Sequence, residues 1–257
     1  MASAIVAIGD ELLSGFTLDT NSHWLAERLR ILGHPLLRVA QVRDREPDIA
    51  DEIRRNLADP DVDTVFSMGG LGPTPDDRTF GAMALALGRE LVVWEEVRAR
   101  IERRLERMLE AGLVDSADLN EGHLRMASIP ADPTEVLRNR VGTAPGVLYE
   151  VDGTRLFVLP GIPQEMKAIF SEEIEPKYLV GGSASTVLEL RLTFAVEGRF
   201  YQVMRELQGS HPDVAVGSYP NWDTKELVIR VTGQDASRVE DALKIVRRQA
   251  EALGYKV

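Results

Sequence analysis

Residues 63–79 read DTVFSMGGLGPTPDDRT and join a strand pattern to a glycine-rich loop. The apolar and β-branched residues that run to Met68 are typical of a buried strand, which Gly69-Gly70 would end. Three glycines within four residues permit positive φ angles and let backbone N–H groups approach an anion closely. We predict a helix over Arg78–Leu87, whose positive end faces the same loop. This stretch therefore predicts a strand, an anion-binding loop and a helix.

Strand and helix patterns alternate on both sides of this stretch. Strands separated regularly by helices indicate an α/β fold with a parallel sheet covered on both faces. A hairpin and a helix that ends before Pro176 complete this part of the chain. The predicted strands are 4–8, 36–42, 63–68 and 91–94, the predicted helices are 21–32, 47–57, 78–87 and 95–111, the hairpin joins 147–151 to 155–159, and the last helix is 164–173.

The chain changes character at residues 181–185, whose sequence GGSAS is typical of a flexible linker. We therefore predict two domains, residues 1–180 and residues 184–257. Beyond the linker the patterns follow the order strand, helix, strand, strand, helix, which suits a small α+β unit. This unit carries no dense polar cluster, so we expect it to support the first domain or to make a dimer contact.

The composition excludes several classes of protein. The chain has 257 residues, of which 44% are hydrophobic and 28% are charged, which is the balance of a globular protein. The net charge of −11 disfavours nucleic acid as a partner, because the protein repels phosphate backbones. No apolar run approaches the ~20 residues of a membrane-spanning helix, and the N-terminus lacks a basic leader. We therefore expect a cytoplasmic protein with no membrane partner.

The residue types available for metal binding are restricted. The chain has no cysteine, and its four histidines show no H-x-x-x-H spacing. Disulfides and thiolate chemistry are therefore excluded, and a histidine-rich zinc site is disfavoured. We expect any metal to be a hard, oxygen-ligated ion such as Mg²⁺ or Mn²⁺.

Parallel α/β sheets bind ligands at the carboxyl ends of their strands, so the loops after the strands are the candidate site. The loop after the first strand carries Asp10, Glu11 and Asp19, more carboxylates than a turn requires. Thr20 or Asn21 would cap the helix that follows.

The glycine-rich loop carries two carboxylates of its own, Asp76 and Asp77. Either could be a simple N-cap of the next helix, but a cap needs only one acceptor. We favour a loop that holds phosphate with its N–H groups and places a carboxylate near a metal. The loop is not a Walker motif, because no Gly-Lys-Ser/Thr sequence ends it.

Four loop motifs together resemble one known family. They are Gly9-Asp10-Glu11-Leu12-Leu13 with Asp19-Thr20-Asn21-Ser22, then Gly69 to Thr79, then Gly142-Thr143-Ala144-Pro145-Gly146, and Leu159-Pro160-Gly161-Ile162-Pro163-Gln164-Glu165-Met166. In this order they resemble the N-terminal region of the CinA family (competence/damage-inducible protein A), which has the MoaB/Mog-like molybdopterin-binding fold. The resemblance spans residues 1–175.

The tail from about residue 184 resembles the smaller KH-like segment of CinA proteins. It has Glu197-Gly198-Arg199-Phe200-Tyr201 where the family often has Gly-x-x-Glu-Ser. It also lacks the Gly-x-x-Gly clamp of RNA-binding KH domains, which disfavours RNA binding. The C-terminal nicotinamide-mononucleotide deamidase domain of CinA proteins has no counterpart in this sequence, so deamidation is not expected.

The resemblance implies a three-layer α/β/α domain, followed by the small α+β KH-like domain, and a glycine loop that binds a nucleotide or pterin phosphate. CinA N-terminal domains are associated with divalent-metal-dependent hydrolysis of ADP-ribose to AMP and ribose 5-phosphate, and a related domain of eukaryotic FAD synthases with FAD hydrolysis. In Mog-type molybdopterin adenylyltransferases two aspartates are functional, and their positional matches are Asp77 and Asp44. Leu71 stands where the Mog motif usually has Thr, which is the CinA-like variant.

These observations lead to a hypothesis of pyrophosphate hydrolysis with a divalent metal (Mg²⁺, Mn²⁺ or Co²⁺). Asp77 and Asp44 would bind the metal or activate water, and Asp10, Glu11 and Asp19 would complete the metal or ribose contacts. The alternatives are a molybdopterin-binding or molybdenum-cofactor-biosynthesis protein without hydrolase activity, and a nucleotide-sensing module. Whatever the function, we expect a homo-oligomer, with a dimer favoured. The expected substrate-binding residues are Gly69, Gly70, Leu71, Gly72, Pro73, Thr74, Asp76, Thr79, Asn139, Gly142, Thr143, Gly146, Pro160, Gly161 and Pro163.

Overall fold

A computed structural model describes residues 2–182 and 184–257 of the chain. The chain divides between Gly181 and Gly182 into two compact units. Ser183, in the middle of the predicted linker, lies outside the described residues. Among the residues that are described, no helix is long and apolar enough to cross a membrane.

The first unit is built on a six-stranded sheet. Four neighbouring strands are parallel, and two further strands extend the sheet at one edge, each antiparallel to the strand before it. The first strand lies between two parallel neighbours and is buried over Ala4–Ile8, which explains its unbroken apolar sequence. The mostly parallel sheet predicted from the sequence is therefore confirmed. The strands are β1 (Ala2–Ile8), β2 (Leu36–Val42), β3 (Val62–Met68), β6 (Glu135–Leu137), β7 (Gly146–Val151) and β8 (Thr154–Leu159), in the spatial order β2-β1-β3-β8-β7-β6.

Helices cover both faces of this sheet and make the unit three-layered. One core joins the sheet to Leu25, Leu29 and Phe170. The other core joins it to helices that contribute residues such as Ile53 and Ile101. The helices are α1 (Asp10–Leu13), α2 (Thr20–Ile31), α3 (Glu46–Leu57), α4 (Thr79–Leu87), α5 (Glu95–Glu110), α6 (Glu121–Ala127), α7 (Pro163–Ile169) and α8 (Glu175–Tyr178), with a π-helical turn (Phe170–Ile174) between the last two.

Two predictions about this unit are wrong. The strand predicted at 91–94 is β4 (Leu91–Val93), but it pairs antiparallel with β5 (Ser128–Pro130) in a separate two-stranded sheet. The helix predicted to end before Pro176 continues past it, because the π-helical turn lets Pro176 fall in the first turn of α8. In a first turn the missing N–H of proline costs no hydrogen bond.

The second unit packs two helices on one face of a three-stranded antiparallel sheet, in the order β10-β11-β9. Its core contains Leu190, Phe200, Ile229 and Val246. The order of elements agrees with the sequence prediction. The elements are β9 (Thr186–Thr193), a 3-10 turn (Glu197–Phe200), α9 (Tyr201–Ser210), β10 (Val214–Asn221), β11 (Glu226–Gly233) and α10 (Ala236–Ala252).

The carboxyl ends of β1, β2, β3 and β8 lie at one edge of the main sheet, because these strands are parallel neighbours. The loops after them approach very closely. A Cβ atom on Gly69, whose φ is +111°, would lie 2.3 Å from the Ile8 carbonyl oxygen. A Cβ atom on Gly161 would lie 3.2 Å from the Gly69 Cα atom. Glycine at position 69 therefore lets the loops after β1, β3 and β8 meet.

Candidate active site

A cavity of about 1150 Å³ opens at this edge of the sheet. Its lining includes the loops after β1, β3 and β8, and Asp44 after β2. The opposite wall comes from α5, which contributes Arg104, and from the start of α6, where the N-cap Asn120 and His123 in the first turn line the cavity. The volume is slightly larger than the usual range for small-molecule sites, ~300–1,000 Å³. The cavity is therefore large enough for a dinucleotide-sized ligand.

The glycine-rich loop presents backbone N–H groups without acceptors. The Gly69 amide donates to the Leu159 carbonyl at 3.1 Å, and the Thr74 amide donates to Asp77 Oδ2 at 2.8 Å. For the amides of Gly70, Leu71 and Gly72, no acceptor is found among the described residues. All three residues line the cavity. These three amides form the candidate anion cradle.

Asp77 has one carboxylate oxygen engaged within the loop. Its Oδ2 atom accepts hydrogen bonds from the Thr74 amide and the Thr74 hydroxyl. Its Oδ1 atom has no partner in the described part of the chain, and the side chain lines the cavity. Neither Asp76 nor Asp77 caps α4, whose N-cap is Arg78. The carboxylate is therefore held in place while one oxygen stays available.

Asp44 is held in the same way from the other side of the cavity. Its Oδ2 atom accepts from the Asp10 amide at 2.7 Å, and its Oδ1 atom has no described partner. Partial burial raises the pKa of Asp44, and the charges of Glu11, Asp10 and Asp76 raise it further against the Asp10 hydrogen bond. Several carboxylates therefore lie close enough to Asp44 to disfavour its ionised form.

A divalent metal fits this donor set only together with a ligand. Among the residues that the structure describes, no group of three or more acidic or histidine side chains is arranged to hold a metal ion. Mg²⁺ commonly binds to one or two carboxylates and completes its shell with water and substrate phosphates. Any metal here would therefore depend on water and ligand phosphates, with the Oδ1 atoms of Asp44 and Asp77 as candidate side-chain ligands.

Asn21 joins the loops after β1 and β8. Its Nδ2 atom donates to the Gly161 carbonyl at 2.8 Å. Its Oδ1 atom is buried and has no hydrogen-bond partner among the described residues, although Asn21 lines the cavity. A buried acceptor left unpaired is costly, so this oxygen is available to a ligand hydroxyl or amine.

Glu165 is a buried carboxylate in the cavity wall, in the first turn of α7. Asn139 Nδ2 donates to Glu165 Oε2 at 2.5 Å and to the Ala144 carbonyl at 2.8 Å. A Cβ atom on Gly142 would lie 1.9 Å from the Glu165 carboxyl carbon. Glu165 and Asn139 together therefore fix the loop that leads into β7.

Comparisons with known proteins identify the family of this chain. Residues 4–179 match the family described as "Probable molybdopterin binding domain". The chain belongs to this family. Residues 188–254, within the second unit, match the family described as "FAD synthase, middle domain". One description names molybdopterin and the other names FAD synthase, which indicates a function related to nucleotide-like small molecules.

Relatives of this molybdopterin-binding-domain protein match it over nearly the whole chain. The protein PF0476 of Pyrococcus furiosus is 36% identical over 248 residues, which cover 96% of each chain. The protein PYRAB15930 of Pyrococcus abyssi is 33% identical over 256 residues, which cover 100% of this chain and 99% of the relative. The crystal structure of CinA from Thermoplasma acidophilum, of unknown function, is 33% identical, with a TM-score of 0.60, and covers 70% of this chain and 98% of that one. The resemblance to CinA and the MoaB/Mog-like fold are confirmed.

The family's loop motifs converge on the cavity, but not every predicted residue lines it. Asp10 pairs at 3.4 Å with Arg43 instead. Asn139 uses its amide and its oxygen to hold its own loop, so it has no donor left for a ligand. The Thr79 hydroxyl donates to the Gly69 carbonyl at 2.7 Å. The predicted residues that line the cavity are Glu11, Asp19, Asp44, Gly69, Gly70, Leu71, Gly72, Pro73, Asp76, Asp77, Thr143, Pro160, Gly161 and Pro163, whereas Asp10, Thr74, Thr79, Asn139, Gly142 and Gly146 do not.

Asp19 lines the cavity but also caps a helix. Its Oδ1 atom accepts from the Ser22 amide at 2.9 Å as the N-cap of α2, a position predicted for Thr20 or Asn21. Its Oδ2 atom accepts from Gln41 at 3.2 Å. Both oxygens of Asp19 therefore already accept a hydrogen bond, whereas Asp44 and Asp77 each keep one oxygen without a described partner.

Sequence reasoning missed three residues of this site. In the sequence, Glu165 stands out only as a member of the motif 159–166, which contains Pro160-Gly161. His123 forms a capping box with Asn120 and also lines the cavity. Arg104, on the amphipathic helix α5, lines the cavity as well. A signal was present for Glu165 alone, because an acidic residue at a helix N-terminus beside a strand end is a typical site position.

The stability of the protein should depend on pH through Glu165. Burial raises the pKa of Glu165, against the hydrogen bond from Asn139 and the charge of Arg104. The folded protein therefore holds this proton more tightly than the unfolded chain, whose glutamate pKa is about 4.3. The stabilising contribution is complete below that value and is lost as the pH rises through the raised pKa. Urea unfolding across pH should show the wild type losing stability relative to Glu165→Gln in this window; a relative gain would contradict the assignment.

Proposed function

We propose that this protein is a divalent-metal-dependent nucleotide pyrophosphatase. It hydrolyses the phosphoanhydride of ADP-ribose, or of a related dinucleotide such as FAD, to AMP and a second phosphorylated product. The observation that carries the proposal is the convergence on one cavity of three acceptor-free amides with the carboxylates of Asp44 and Asp77.

The amides of Gly70, Leu71 and Gly72 bind the non-bridging oxygens of the anhydride. Backbone N–H groups can do this in an acidic protein, because they direct partial positive charge at the anion without adding a charged side chain. The prolines at 73 and 75 stiffen the loop and reduce the entropy cost of ordering it. The loop is therefore preorganised for a pyrophosphate.

A divalent metal would supply charge neutralisation of the anhydride, together with electrophilic assistance to the attack. The Oδ1 atoms of Asp44 and Asp77, which have no partner among the described residues, would hold it. A water oxygen bonds to one phosphorus while the bond from that phosphorus to the bridging oxygen breaks. The water proton passes to a carboxylate, and the leaving phosphate keeps the bridging oxygen.

The second candidate function is molybdopterin binding without hydrolysis. The family description of residues 4–179 favours it. The same amides would hold the single phosphate of a pterin, and no water would need activation. The two functions differ in what leaves the site, so product analysis separates them.

The test is incubation of the protein with ADP-ribose, FAD, other dinucleotides or molybdopterin, in the presence of Mg²⁺, Mn²⁺, Co²⁺ or EDTA. Mass spectrometry identifies the products. We expect AMP from at least one dinucleotide with metal and none with EDTA. Retention of unchanged pterin, with no AMP under any condition, would contradict the pyrophosphatase proposal and support the binding function.

Homodimerisation stays a prediction from the sequence. Light scattering across a range of concentrations tests it. A mass of twice the chain supports a dimer, and the mass of a single chain contradicts it.

A further inference from the structure

The lining of the cavity holds many carboxylates and few groups that can donate to an anion. Among the described residues, Arg104 is its only lysine or arginine and His123 is its only histidine. Neutral donors therefore matter for holding a phosphate here, because every carboxylate nearby repels it. His123 is a candidate donor of this kind.

Helix α6, which carries His123, packs directly against the glycine loop. The Nη1 atom of Arg125 donates to the Thr74 carbonyl at 3.1 Å. A Cβ atom on Gly122 would lie 2.2 Å from the Pro73 carbonyl oxygen, so the close approach requires glycine. His123 lies between these two contacts in the chain, and it lines the cavity. The imidazole ring therefore lies beside the loop that carries the candidate anion cradle.

A second, smaller cavity shows that α6 also reaches the cradle residues themselves. Its volume is about 310 Å³, and its lining includes residues 70–72 together with Arg125 and Met126. Residues 70–72 and His123 share the lining of the main cavity. An anion on the cradle amides would therefore have α6 as a direct neighbour.

The hydrogen bonds of His123 fix which ring nitrogen is the donor. Its Nδ1 atom accepts from the Asn120 amide at 3.2 Å, and its own amide donates to Asn120 Oδ1 at 2.9 Å. An Nδ1 atom that accepts carries no proton, so the ring proton is on Nε2. The Nε2 atom has no hydrogen-bond partner among the described residues, and it does not belong to the atoms that are buried without one. The capping box therefore orients the ring and leaves an accessible N–H donor.

We propose that His123 is a phosphate-binding residue, whose Nε2–H group donates to an oxygen of the phosphate that the cradle amides hold. The amides bind this phosphate from the glycine loop and the imidazole binds it from α6. Hydrogen bonds to a charged oxygen are stronger than those between neutral groups. This inference rests on the proposed function for the position of the phosphate. It does not depend on hydrolysis, because the phosphate of a pterin on the same amides would receive the same bond.

The first test is calorimetric titration of α,β-methylene-ADP with Mg²⁺ into the wild type, His123→Asn and His123→Gln. Asparagine places an oxygen where Nδ1 accepts, so it can keep the capping box, but it has no donor at the position of Nε2. Glutamine reaches that position with its amide nitrogen. We expect His123→Asn to bind about tenfold more weakly, the effect of about one charge-assisted hydrogen bond, and His123→Gln to stay within about threefold of the wild type. The matched control is His23→Asn, an exposed histidine on α2 outside the cavity lining, which should bind like the wild type.

The second test needs no variant. Long-range ¹H–¹⁵N NMR should identify Nε2 as the protonated ring nitrogen of His123 in the free wild type. The Nε2 resonance should then shift on titration with inorganic pyrophosphate, which has neither a base nor a ribose. A resonance that stays in place would overturn the inference, and so would equal affinities of the wild type and His123→Asn or equal losses in both His123 variants.

These outcomes separate the inference from the pyrophosphatase proposal. The expected losses of affinity, without AMP formation from any dinucleotide, would support the role of His123 and contradict only the pyrophosphatase. Metal-dependent AMP formation, with unchanged affinity in His123→Asn, would overturn the role of His123 and leave the pyrophosphatase supported.

Discussion

Asp77→Asn is expected to reduce kcat for metal-dependent hydrolysis of ADP-ribose by about 10²-fold or more. Asparagine keeps an oxygen that can accept from the Thr74 amide, so the loop geometry should survive. The substitution replaces the oxygen that faces the cavity, which is the proposed metal ligand, with an uncharged amide nitrogen. Because the contacts of the loop are retained, the free energy of unfolding should change by less than about 1 kcal/mol. Steady-state kinetics with a coupled assay for AMP, together with urea unfolding, measure both effects.

The matched control for Asp77→Asn is Asp118→Asn. Asp118 also lines the cavity and loses the same charge, but it lies in the segment between α5 and α6. Its substitution should change kcat by less than about threefold, as for a charge away from the chemistry. Full activity of Asp77→Asn, or an equal loss in both variants, would contradict a specific role for Asp77.

Asp44→Asn should reduce kcat by a similar factor, about 10²-fold, because it removes the second carboxylate that faces the site. Its effect on stability should have the opposite sign to its effect on activity. The pKa of Asp44 is raised by burial and by neighbouring carboxylates, so its ionised form costs stability at neutral pH. Without metal, Asp44→Asn should therefore melt at a slightly higher temperature than the wild type. In the wild type, we expect Mn²⁺ together with a bound nucleotide to raise the melting temperature. Asp44→Asn should lose this rise.

Asp10→Asn provides the comparison for Asp44. The two residues are linked by the hydrogen bond from the Asp10 amide to Asp44, but the Asp10 side chain pairs with Arg43 outside the cavity lining. That backbone bond survives the substitution, so activity and the metal-induced rise should be retained. A larger loss in Asp10→Asn than in Asp44→Asn would reverse the assignment of the two carboxylates.

The elements that surround the glycine loop were predictable because their signals are local. The strand β3 (Val62–Met68) is buried on both faces and is accordingly rich in apolar and β-branched residues. Glycine is required at position 69 because of the close approach to Ile8. The convergence of the loops after β1, β3 and β8 followed from the parallel order of strands. The sequence alone therefore predicts at which edge of the sheet the candidate site lies, and most of the residues around the anion cradle.

The opposite wall of the cavity could not be predicted in this way. An amphipathic helix shows which face it buries, but not which exposed residue lies over a distant loop, and this concealed Arg104. The role of Asn139 depends on contacts with Ala144 and Glu165 that span up to 26 residues. The π-helical turn before Pro176 likewise left no periodic signal. The position of Arg104, the role of Asn139 and the π-helical turn all depend on tertiary packing, which a local sequence pattern does not show.

Amide NMR of the glycine loop tests the central claim most directly. The ligand is the non-hydrolysable α,β-methylene-ADP with Mg²⁺, titrated into ¹⁵N-labelled, deuterated protein. We predict that the amide resonances of Gly70, Leu71 and Gly72 move downfield on binding, as expected for new hydrogen bonds to phosphate oxygens, and that the resonance of Gly69, already bonded to Leu159, moves least. Saturable binding that leaves the three resonances in place and shifts others outside the cavity would contradict the account.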